Sequence, residues 1–86
     1  MKYTQHTLDK LEGLLSEIRY VIRYERGTFQ SGYCILEEKK VVVLNKFLQL
    51  EGRIHTMMDI IPKLIPDPEI LSTEGRKTFE QILTKA

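Results

Sequence analysis

The chain reads as an α+β domain with the order α-β-β-β-α-α, in which a three-stranded antiparallel sheet packs against helices. Three observations lead there: a hairpin pattern over Gly32–Asn45, alternation of large and charged residues from Tyr20 to Arg26, and helical apolar stripes on either side. In the hairpin, the apolar runs Tyr33–Leu36 and Val41–Leu44 are separated by Glu37, Glu38, Lys39 and Lys40, and the second run is almost wholly β-branched. Successive strand residues point to opposite faces, which groups Tyr33, Ile35, Val41 and Val43 against Cys34, Leu36, Val42 and Leu44. Both groups are apolar, so this ribbon has to be covered on two sides.

The elements follow in order. Thr4 or Thr7 is positioned to cap a first helix whose residues Leu8, Leu11, Leu15 and Ile18 recur at helical spacing. From Arg19 the period changes, and Tyr20–Arg26 is read as a strand because Tyr20, Ile22 and Tyr24 place three β-formers within five residues. The competing reading carries the first helix to Arg26 and ends it at Gly27 as a left-handed cap. The segment from Gly27 to Gly32 is a two-glycine connection into strands at Tyr33–Glu37 and Lys40–Leu44. A second amphipathic helix carries Leu50, Ile54, Met57, Met58 and Ile61, and Pro62, lacking an N–H, is expected to stop or bend it near Ile61. Asp67-Pro68 suits a short helical turn, and Ser72 or Thr73 caps a last helix to about Thr84, with Phe79, Ile82 and Leu83 as its buried side.

Eighty-six residues suffice for one domain, residues 1–86, with one modest core. The chain is 42% apolar and 29% charged, the balance of a folded globule rather than a disordered segment. With 13 basic and 12 acidic residues the formal charge is +1, which argues against a dedicated nucleic-acid binder. One cysteine makes no internal disulfide, the N-terminus lacks a secretory apolar segment, and no apolar run approaches the roughly 20 residues of a membrane span. The expected compartment is the cytoplasm, with no membrane partner.

Candidate chemistry is sparse. His55 and Asp59, four residues apart, share one side of the second helix and are the best-placed pair for a metal ion. Measured from Ile54 they fall near ~100° and ~140° on the helical wheel, outside the apolar stripe, where an exposed polar pair is the plainer reading. Cys34 with His55 is a conceivable nucleophile and base, but a lone cysteine among Tyr, Ile and Leu is the signature of a small buried hydrophobe. Arg19, Arg23 and Arg26 with Tyr20 and Tyr24 have the composition of a nucleic-acid face, diluted by Glu17 and Glu25; an edge strand guarded by charges explains them as well. Met57 and Met58 fit the core. No phosphate-binding glycine motif, HExxH or C-x-x-C occurs, and no cofactor is expected.

The run G-T-F-Q-S-G-Y-C-I-L-E-E-K-K-V-V-V-L-N-K, about a quarter of the chain, resembles a pattern of small bacterial proteins with the form G-x-F-x-x-G-x-C followed by a β-branched strand ending in Asn-Lys. No activity comes with that resemblance. More distantly, a hairpin ending in Asn before an amphipathic helix is similar to the minimal zincin core of metallopeptidases that cleave phage repressors. At the place of H-E-x-x-H this chain has His55-Thr56-Met57-Met58-Asp59, so the resemblance implies a scaffold without the base that a zinc-bound water requires.

Two helices with one stripe each, both on one sheet face, would leave the other face bare. The functional expectation is therefore a small non-enzymatic protein acting by self-association, as a homodimer, or by binding another protein. Its expected interface residues are Tyr20, Ile22, Tyr24, Cys34, Leu36, Val42 and Leu44. The alternatives are a degenerate zincin-like metal-binding protein or hydrolase using His55 and Asp59, and a nucleic-acid accessory module using the three arginines.

Overall fold

The computed structural model describes residues 2–26 and 33–85; the expected two-glycine connection, from Gly27 to Gly32, lies outside them. Helix α1 spans Gln5–Glu17, with the Thr4 side chain accepting the Thr7 N–H at its start. It ends in a Schellman turn: the Tyr20 N–H donates to the Leu15 carbonyl at 2.9 Å and the Arg19 N–H to that of Ser16 at 3.0 Å. Arg19 occupies the left-handed position, φ 66°, that glycine usually fills. This turn ends the helical period where the alternation begins, and strand β1 follows at Val21–Glu25, as the strand reading expects.

Strand β2 spans Tyr33–Leu36 and β3 spans Val41–Asn45, joined by a short 3-10 turn at Glu37–Lys39 that closes on left-handed Lys40. The sheet is mixed rather than fully antiparallel. Its order is β1-β3-β2, with β2 antiparallel and β1 parallel to β3. Central placement pairs both edges of the most β-branched strand, which a simple meander would have left at an edge.

Helix α2 runs Leu50–Leu64 and does not stop at Pro62. The proline forgoes only the bond to the Met58 carbonyl; buried Ile61 and Ile65 anchor the last turn, which the Ile65 N–H closes onto the Ile61 carbonyl at 3.1 Å. Asp67 then caps the expected short turn, Pro68–Ile70, and α3 spans Thr73–Lys85, with the Gly75 N–H donating to the Ser72 hydroxyl at 3.0 Å. Phe79 and Ile82 are buried as expected, but Leu83 is 50% exposed. Thr78, not Leu83, completes the inner side of α3, one turn before Ile82.

Helices α1, α2 and α3 lie on the same side of the sheet, packed with Val42 and Leu44. The core joins Leu8, Leu11, Leu14 and Leu15 of α1, Ile54, Met57, Ile60 and Ile61 of α2, and Phe79 and Ile82 of α3 to Val42 and Leu44 of β3. Ile22 and Tyr24 of β1 and Tyr33 and Ile35 of β2 pack at its margin. Register explains the grouping: Ile22 and Ile35 flank Val42, and Tyr24 and Tyr33 flank Leu44. The expected grouping of Cys34 and Leu36 with Val42 and Leu44 is thus corrected. Leu36 pairs with Val41 across a turn of four residues, and an even-numbered turn places residues of opposite parity on one face.

Candidate interaction surface

The side of the sheet away from the helices carries three cross-strand rows. Val21, Val41 and Leu36 form the first, Arg23, Val43 and Cys34 the second, and Glu25 with Asn45 the third. Val21 is 57% and Leu36 42% exposed, whereas Val43, in the middle row, is buried. The row at the start of β1 is therefore wholly apolar and partly bare. Arg23 and Glu25, two residues apart on this face, form an ion pair at 2.8 Å with side chains 61% and 42% exposed.

Of the seven expected interface residues, Cys34 and Leu36 lie on this open face. Val42 and Leu44 are fully buried under the helices, and Ile22, Tyr24 and Tyr20 pack at the edge of the same core, so these five are packing residues on the covered side. Val21 and Val41, which sequence reasoning left out of the list, take their place. The missing signal was the turn length, which decides the parity of the faces.

The main-chain edges matter as well. The Val21 N–H donates to Lys40 and the Glu25 carbonyl accepts from Lys46, so Val21, Arg23 and Glu25 turn their peptide groups inward to β3. Ile22 and Tyr24 consequently direct theirs outward along the edge of β1 that pairs with no strand among the described residues. Side chains of α1 and α2 back this edge at Tyr24. The Tyr24 hydroxyl donates to the Glu12 carboxylate of α1, and the Arg53 guanidinium stacks 4.5 Å from the Tyr24 ring centroid. Arg53 itself donates to the Leu48 and Lys46 carbonyls, each at 3.0 Å, tying α2 to the end of β3. Burial, reinforced by the hydrogen bond to Glu12 and its charge, raises the Tyr24 pKa well above the ordinary phenol value, while Arg53 opposes the shift.

The structure does not assemble the expected metal pair into a site. His55 is exposed, with Nε2 3.7 Å from Glu51 and its ring 4.7 Å from that of Tyr3; Asp59 pairs instead with Lys63 at 3.6 Å. Among the described residues no three His, Cys, Asp or Glu side chains converge to hold an ion. Cys34 lies on the open face and His55 on a helix behind the covered face, so the sheet separates them. The three arginines also diverge in their contacts. Arg23 is neutralised by Glu25, Arg26 lies 5.7 Å from the ring centroid of exposed Phe47, and Arg19 closes α1. Among the described residues, no helix is long and apolar enough to cross a membrane. No protein-family model, curated protein or solved structure matches this chain.

Proposed function

We propose that this is a small non-enzymatic protein that works by association, with a second copy of itself or with another protein chain, through the part of the sheet its helices leave uncovered. The observation that carries this reading is the one-sided packing: three helices cover Val42 and Leu44, and none covers the row Val21, Val41 and Leu36. Burial of apolar area drives association at about 25 cal/mol per Å². Strands of five, four and five residues, about 4.8 Å apart and rising about 3.3 Å per residue, present a face of roughly 220 Å². That is well below the ~800 Å² per partner of a stable interface, so association through it is weak and concentration-dependent.

Amide spectra of the isotope-labelled protein over a rising concentration series test the reading residue by residue. Shifts concentrated in Val21–Glu25 and Val41–Val43 support it. Spectra that stay fixed at the highest concentration, or that move only on the outer surfaces of α2 and α3, overturn it.

A further inference from the structure

We infer that the partner along the free edge of β1 is a second copy of this chain, whose own β1 pairs antiparallel with it in the register centred on Tyr24. This inference rests on the self-association reading above and places the contact between copies at the sheet's edge, beside its open face.

The edge offers the necessary groups. Ile22 and Tyr24 direct their peptide N–H and C=O groups away from β3, and Arg26, of the same parity, follows one residue past the strand. Antiparallel pairing about a two-fold axis at Tyr24 lets the two Tyr24 residues exchange main-chain hydrogen bonds, with Ile22 of each copy doing the same with Arg26 of the other. Charge selects this register over its neighbours. Centred on Tyr24, each Arg23 stands across from the other copy's Glu25, giving two opposite-charge cross-strand pairs. Centred on Arg23, the two guanidinium groups face each other; centred on Ile22, each Arg23 faces Val21 and gains no counter-ion. The pair that is intramolecular in one protomer thus becomes a four-charge cluster across the dyad.

A two-fold axis perpendicular to the sheet keeps the helices of both copies on one side and yields a six-stranded sheet, β2-β3-β1-β1-β3-β2. The two apolar rows then lie on one face of that sheet, at its opposite ends, with the Arg23–Glu25 cluster between them. The edge strand that β1 otherwise leaves open is closed by its twin.

Charge reversal decides the matter, read by light scattering of purified proteins over a concentration series. Arg23→Glu alone places acids against Glu25 across the dyad, and Glu25→Arg alone places bases against Arg23; each variant should be monomeric where the parent is dimeric. Mixed in equal amounts, the two should form a heterodimer, and the double variant R23E/E25R should dimerise like the parent. Recovery in the mixture also shows that both single variants are folded. A parent that dimerises together with single variants that dimerise equally well would overturn this geometry while leaving self-association standing. A parent that remains monomeric throughout overturns both.

Discussion

Gly75→Ala should destabilise the fold, although alanine favours helices, and should stabilise it once Glu17 is removed. A Cβ at Gly75 would stand 2.5 Å from Glu17 Oε2 and 3.0 Å from Cδ. That carboxylate joins the end of α1 to the start of α3, accepting from the Ser72 N–H at 2.6 Å and from the Ser72 hydroxyl at 3.0 Å. It also places negative charge at the positive end of α3. The added methyl has to displace it. Both partners are exposed, so each lost bond is worth about 0.5–1.5 kcal/mol rather than the larger value of a buried charged pair. The helix gains at most about 1 kcal/mol on exchanging glycine for alanine. The difference is a net loss of about 1 kcal/mol, which lowers Tm by about 4–8 °C in a domain of this size. In a Glu17→Ala background the clash and the bonds are both gone, and Gly75→Ala should then add up to about 1 kcal/mol. Urea unfolding of the four proteins in this cycle reads the effect. The same sign of change in both backgrounds would refute the placement of Glu17.

Four further outcomes follow from the structure. Leu44→Ala should cost about 2–5 kcal/mol in denaturant melts because its site is fully buried, whereas Leu36→Ala, on the open face, should cost under about 1; equal losses would contradict the assignment of faces. Arg19→Gly should stabilise by roughly 0.5 kcal/mol, since relief of the left-handed strain outweighs the added freedom of the unfolded chain; a loss on urea unfolding would show that the side chain holds the turn. Because the folded protein holds the Tyr24 proton more tightly than the unfolded chain does, this contribution is intact below about pH 10 and declines as pH rises above it. Tyr24→Phe should therefore flatten the alkaline loss of stability while lowering stability at neutral pH by about 1 kcal/mol; an unchanged alkaline limb refutes the linkage. Zinc or manganese added to chelator-treated protein should leave Tm unchanged, and a rise abolished by His55→Ala would reinstate a metal site at His55 and Asp59.

What the sequence revealed follows the range of the interactions involved. Local signals were sufficient to narrow the caps to Thr4 or Thr7 and to Ser72 or Thr73, and for the change of period at Arg19, the short turn after Asp67 and the hairpin of β2 with β3. The position of β1 was not local. Nothing in Val21–Glu25 states that it lies parallel to β3 instead of beside β2, because that choice is made by the whole sheet when it buries the valine-rich strand at its centre. Leu14 and Ile60 were missed as core residues for a related reason: a helix that packs on a sheet and on other helices buries more of its circumference than one stripe. The interface list failed at parity. The residue types required an apolar ribbon with two faces, but which face the helices take depends on the four-residue turn that pairs Leu36 with Val41.

Sedimentation equilibrium from about 10 μM to about 1 mM, the range in which weak interfaces associate, tests self-association most directly. The apparent mass should climb from the protomer's 10.1 kDa toward twice that value, and more slowly for Arg23→Glu. A mass fixed at 10.1 kDa over the whole range would contradict self-association.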